Sequence, residues 1–156
     1  MHPIPRPRAA CARVAALLAI LVAAAACTPL IGAYSPRAYE FATSLKARTL
    51  ALTAHAGDPY ARHEAAAEQL AVDLQRAYEY ARGVPRNGVS TRQWKLLVDP
   101  DGALLGRFLA RWRREGTLDP AFVTESRRIF ADAFDEIICL EANKRAAAAC
   151  TGGAGA

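Results

Sequence analysis

From Ser35 to Glu141 the apolar side chains recur every three or four residues, the period of a helix buried along one side. Phe41, Leu45 and Leu52 share one face of the first such segment, with Ala38, Ala42 and Ala56 beside them. Ser35-Pro36 opens it: a hydroxyl caps free amides, and proline at the first helical position lacks an N–H that would go unused. Gly57-Asp58-Pro59 ends this helix and starts the next, which runs from about Pro59 to Arg82. Its stripe is Ala67, Leu70, Leu74, Ala77 and Ala81, and Gly83 stops it. Ser90 and Gln93 have the spacing of a capping box, which predicts a short helix around Trp94, Leu97 and Val98. Leu105, Phe108 and Trp112 mark a further helix that ends at Gly116. Asp119-Pro120 begins the last, with a stripe of Phe122, Ile129, Ala133, Ile137 and Leu140, widened by Val123, Phe130 and Phe134. No comparable stretch alternates with period two. The predicted fold is all-α, a helical bundle of about four main helices plus one short helix.

The pattern changes at the start of the chain. Arg6, Arg8 and Arg13 precede thirteen residues, Val14 to Ala26, of Ala, Val, Leu and Ile alone. A membrane-crossing helix needs roughly twenty apolar residues, so this run fits the hydrophobic core of a signal peptide. Ala24, Ala25 and Ala26 supply the small side chains that a peptidase cleft admits, and Cys27 follows. This divides the chain into a signal segment (1–26), a tether (27–34), a bundle domain (35–146) and a disordered tail ending TGGAGA (147–156).

Ala24-Ala25-Ala26-Cys27 resembles the lipobox of bacterial lipoproteins, departing from it at Ala24, where that family usually has Leu. The resemblance implies a thiol carrying diacylglycerol and a cysteine that becomes the mature N-terminus, anchored by two or more acyl chains such as palmitate. Two chains suffice for stable anchoring where one does not. Thr28 stands where inner-membrane retention would favour Asp, which in a Gram-negative host implies an outer-membrane lipoprotein facing the periplasm. Two other readings fit the same run: cleavage after Ala26 that leaves a free thiol, and an uncleaved anchor extended by Leu30 and Ile31. With ATSLKARTLAL, STRQWKLLVDP and LLGRFLARW, the stretch from Tyr34 to Glu141 resembles small helical lipoproteins of bacteria. That likeness concerns fold and location and brings no functional residues.

Charge narrows the partners. The formal net charge is +5, but the three signal arginines leave 17 basic against 15 acidic side chains from Cys27 onward. That is no footprint for nucleic acid. Residues 76–114 hold nine basic and three acidic side chains, and residues 115–141 two and seven. The two segments are expected to pack side by side and offset each other. Of four cysteines, Cys11 leaves with the signal and Cys27 takes lipid. On one continuous helix Cys139 and Cys150 would stand about 16 Å apart, too far to bridge unless the chain turns back near Ala146. Cys139 is therefore expected as a small buried side chain.

Motifs for chemistry are missing. The chain has no Cys-x-x-Cys-His, His-Glu-x-x-His, Walker loop, Gly-x-Ser-x-Gly or Glu-x-x-His. No enzyme activity, cofactor or metal is expected. Asp99 and Asp101 resemble the opening of a calcium loop, but the later ligands are missing, and a plain turn is expected. His63 lies within about 20° of the Leu70–Leu74 stripe on a helical wheel and reads as a core histidine or a ligand contact. His55 and Asp58 stand near it at a helix end, where spacing alone does not set their geometry. Arg107, Arg111 and Arg114 form one strip of a helix beside Phe108 and Trp112. Such a strip binds lipid phosphates, anionic glycans or an acidic envelope protein, or else is a solvated face paired with the acidic last helix. The sequence thus points to a non-catalytic interaction or structural module of the cell envelope. A carrier of an apolar or haem-like ligand within the bundle is the alternative. Partner contacts are expected at His63, Arg107, Arg111, Arg114 and Trp112.

Overall fold

The computed structural model describes residues 32–102 and 104–144. The signal segment, Cys27, Cys150 and the tail lie outside them. The described residues are helical, with five α-helices and no strand: α1 (Pro36–Thr53), α2 (Glu64–Gly83), α3 (Gly88–Val98), α4 (Leu105–Glu115) and α5 (Pro120–Asn143). A 3-10 turn, Tyr60–Arg62, precedes α2.

Three long helices and two short ones make the bundle. α1 packs antiparallel on α2, where Phe41 meets Tyr80 edge-on at 5.6 Å and Arg48 pairs with Asp73 at 2.6 Å. It packs antiparallel on α5 as well, through Lys46–Asp135 at 2.6 Å and a hydrogen bond from Arg127 to the Leu50 carbonyl. The fourth column is built from α3 and α4 in series. Trp94 of α3 meets Phe134 in the second half of α5, and Phe108 of α4 meets Phe122 and Phe130 in its first half. Gly106 permits the join between the two. A Cβ there would stand 2.3 Å from the Val98 carbonyl oxygen and 2.6 Å from that of Asp99. Both are backbone atoms that no rotamer change can move. The interior is filled by Trp94, Trp112, Phe134, Leu45, Leu70, Leu74, Leu97, Leu105 and Ile137, each nearly inaccessible.

Several helix ends follow local rules. Ser35 accepts from the Ala38 amide and Asp119 from the Phe122 amide. Gly116, at φ +80°, closes α4 in a conformation that costs glycine little. The Asp99 carboxylate accepts the Asp101 amide at 3.0 Å, which is an Asx turn, as expected of a plain turn.

Four sequence expectations are corrected. α2 begins at Glu64 rather than Pro59, because the connection before it is held elsewhere: Tyr60 N–H donates to the Gly116 carbonyl and Leu118 N–H to that of Ala56. Ser90 is not a cap. α3 starts two residues earlier, and Ser90 donates inward to Glu141 at 2.7 Å. The buried face of α5 is Val123, Ser126, Phe130, Phe134, Ile137 and Glu141, and Ile129 of the expected stripe is 39% exposed. Cys139 is half-buried and disulfide-bonded, its partner lying outside the described residues.

The basic and acidic segments pack side by side, but among the described residues the ion pairs between them are confined to Glu115, which takes Arg111 and Arg114. Arg113 reaches Glu64 and Glu68 of α2, while Asp135 takes Lys46 of α1. Acidic α5 is thus neutralised by Lys46 of α1, by its own Arg128, which pairs with Glu125 and Asp132, and by Lys144, which pairs with Glu141. Two similar sequence phrases, RAYEFA (37–42) and RAYEYA (76–81), meet at their aromatic residues. Phe41 and Tyr78 pack on the core, Tyr39 faces solvent, and Tyr80 shares a hydrogen bond with Ser35 at 2.7 Å.

Candidate functional site

Arg107, Arg111 and Arg114 line one cleft between α4 and α5, of about 720 Å³. Spacings of four and three residues place the three on one strip because a helix turns every 3.6 residues. The floor comes from the apolar faces on either side of the strip: Phe108 on α4, and Phe122, Ile129 and Phe130 on α5. Phe108 stacks on Phe122 at 5.8 Å and meets Phe130 edge-on at 5.3 Å, so the aromatic rings brace one another.

The three arginines are not equivalent. Arg111 lies over the Phe122 ring at 4.4 Å and pairs with Glu115 at 2.9 Å. Arg114 reaches the other oxygen of Glu115 at 3.0 Å. The Arg111 hydrogen bond, with a smaller contribution from Arg114, holds the Glu115 carboxyl below the usual range for a glutamate. Arg107 has no hydrogen-bond or ion-pair partner among the described residues. The cleft therefore carries three guanidinium groups against one carboxylate at its α4 wall, with Asp101 at its end. Both paired arginines are salted within their own helix, so the strip keeps an excess of positive charge that the last helix does not cancel.

Trp112 is not a contact residue, contrary to the sequence expectation. It is fully buried, its indole N–H donates to the Asp58 carbonyl at 3.1 Å, and its ring meets Tyr60 edge-on at 5.4 Å. It acts as a post for the 54–63 connection. His63 is not on the Leu70–Leu74 face either, because the helix starts one residue after it. It is the residue preceding α2, with a side chain 21% exposed and a ring tilted on Trp112 at 5.6 Å. His55 stacks on it at 5.1 Å, and Asp58 lies against both rings. His63 does not line the arginine cleft. The ring beside His63 is Trp112, which with Trp94 and Phe134 belongs to the fully buried interior of the bundle.

One feature of the charged architecture has no sequence motif. Glu141 and Lys144, at the end of α5, form a buried ion pair with side chains 1% and 2% exposed. Lys144 donates to both Glu141 oxygens at 2.7 Å, to Asn87 Oδ1 at 2.6 Å and to Ser90 Oγ at 3.1 Å. Asn87 in turn donates to the Ala81 carbonyl. The network joins the ends of α2 and α5 to the start of α3. Its only advance sign was that Glu141 continues the Phe134–Ile137 face. The chain matches no known protein family, no curated protein and no solved structure.

Proposed function

We propose that this protein is a cell-envelope lipoprotein, anchored through Cys27, whose bundle binds an anionic lipid without catalysing a reaction. The observation that carries the reading is the convergence of Arg107, Arg111 and Arg114 on an aromatic-floored cleft of about 720 Å³. Guanidinium groups take phosphate oxygens in pairs, with a geometry a point charge does not offer. The Phe108, Phe122 and Phe130 rings provide the apolar surface on which an acyl chain gains by leaving water. The volume lies within the range of small-molecule sites, about 300–1,000 Å³. A domain tethered by Cys27 would meet such lipids at the surface that holds it.

The test is calorimetric titration of the full chain in neutral detergent. The two ligands are a short-chain phosphatidylglycerol and a phosphatidylcholine of equal chain length. One saturable site with preference for the anionic lipid is expected. Arg107→Ala combined with Arg111→Ala and Arg114→Ala should erase that preference. Equal binding of both lipids by the wild type, or a preference that survives the triple substitution, refutes the reading. The anchor is tested separately. Cys27→Ser should leave the membrane pellet, since each buried methylene of a lost acyl chain contributes about 0.8 kcal/mol. Correctly cleaved Cys27→Ser protein that stays in the pellet and resists carbonate extraction would refute the lipid attachment.

A further inference from the structure

At the end of the bundle where α1 gives way to the 3-10 turn, two imidazoles converge on a single carboxylate oxygen of Asp58. His55 Nδ1 stands 3.6 Å and His63 Nε2 3.4 Å from Asp58 Oδ2. One donor atom from each residue lies within 4.8 Å of the others. We propose that His55, Asp58 and His63 bind a divalent transition-metal ion, zinc or copper(II).

The two imidazole–carboxylate distances are close to those between neighbouring ligands of a tetrahedral ion. Two donors each about 2.0–2.1 Å from zinc at a tetrahedral angle stand about 3.4 Å apart. The imidazole–carboxylate separations already have that value, so an ion enters by a small adjustment. That adjustment is available on one side and braced on the other. His55 has a side chain 59% exposed, so its ring is free to adjust around an ion. His63 is held by the Trp112 ring, and the Asp58 backbone by the Trp112 indole N–H at its carbonyl and by its own N–H on the His55 carbonyl. Hydrogen bonds from Tyr60 to Gly116 and from Leu118 to Ala56 pin both ends of the connection to the loop after α4. The cluster is thus built on a braced connection, as a preorganised site requires.

Donor chemistry selects the ion. Two imidazoles and one carboxylate suit zinc and copper(II), whereas calcium and magnesium take oxygen ligands. Three protein donors leave a tetrahedral position for water or for a ligand from another molecule. The site is separate from the arginine cleft and does not depend on lipid binding there.

The experiment titrates the full chain in neutral detergent with Zn²⁺ by calorimetry and with Cu²⁺ by tryptophan fluorescence. Trp112 lies 5.6 Å from the His63 ring, so bound Cu²⁺ should quench it. One Zn²⁺ per chain is expected, with Cu²⁺ quenching that saturates at the same stoichiometry. His55→Ala and Asp58→Asn should each weaken both by more than about tenfold, the loss that removal of an outer-shell partner alone can cause. His55 is exposed, so its variant should keep the wild-type helical melt and separate lost metal from lost fold. Unchanged Zn²⁺ affinity in the two variants, no Zn²⁺ or Cu²⁺ binding at micromolar concentrations, or equal competition by Mg²⁺ overturns the proposal.

Discussion

The Glu141–Lys144 pair and the Arg107–Arg111–Arg114 strip both set cationic groups against apolar surface, and they meet the cost of doing so in different ways. Lys144 is removed from water and makes hydrogen bonds to three protein residues, with both carboxylate oxygens of Glu141 engaged. The strip keeps its guanidinium groups wet: the Arg111 and Arg114 side chains are 41% and 68% exposed. Desolvating a charge costs several kcal/mol even after the protein relaxes, so a buried pair must close its own network. Exposed arginines avoid that cost and retain bonding capacity for something outside the chain. The buried pair therefore belongs to the architecture, while the strip is available for recognition.

This contrast breaks first at Glu141. Glu141→Ala leaves Lys144 buried without its counter-charge and should cost about 3–5 kcal/mol, read from the denaturant midpoint at unchanged slope. Replacing both partners, Glu141→Leu with Lys144→Met, should recover most of that loss, because the penalty comes from the orphaned charge. A loss below about 1 kcal/mol for Glu141→Ala would place the pair with exposed ones.

The next effect concerns the wall of the cleft. Gly106→Ala drives a methyl into the Val98 and Asp99 carbonyls and should cost about 1–3 kcal/mol, the usual price of overpacking. Because α4 must move away from α3, lipid affinity should fall with stability. Affinity that holds while stability drops would show that the arginine strip tolerates displacement of its helix.

Asp73 is an intermediate case, 9% exposed and bonded to Arg48, which is itself half-exposed. The Arg48 hydrogen bond holds its carboxyl below the usual aspartate range against the opposing effect of burial, with Gln69 and Arg76 assisting. A carboxyl depressed in the folded state stabilises the fold above its unfolded pKa, about 3.9. That contribution is lost as pH falls through the lower folded value. Urea midpoints measured down from neutral pH should decline in this acid range, and Asp73→Asn should flatten the decline. An unchanged slope in the variant would assign acid sensitivity to other carboxylates.

The smallest expected change in stability is at the strip itself. Arg111→Ala removes an exposed pair with Glu115 and a cation–π contact, and should shift stability by about 1 kcal/mol or less. Arg107→Ala, with no partner to lose, should shift it by no more than about 0.5 kcal/mol. Thermal melts of both variants check this. A larger cost at Arg107 would move that residue from recognition to architecture.

The sequence by itself determined the all-helical fold and those helix ends whose contacts span three or four residues. Ser35 caps Ala38, Asp119 caps Phe122, and Gly116 ends α4. It also made the arginine strip legible, since helical periodicity alone puts positions 107, 111 and 114 together. Only the tertiary structure decided where α2 begins, which way α5 is rotated, and what Ser90, Glu141 and Trp112 face. Those outcomes rest on partners about fifty residues away: Ser90 with Glu141, Trp112 with Asp58, and Tyr60 with Gly116. The same holds for the histidine cluster. The spacing 55, 58, 63 matches no metal motif, and the three side chains meet because the connection bearing them is tied to the loop after α4. Local capping and period are set by backbone geometry within a turn or two, whereas a buried polar group adopts whatever partner the packed helices bring to it.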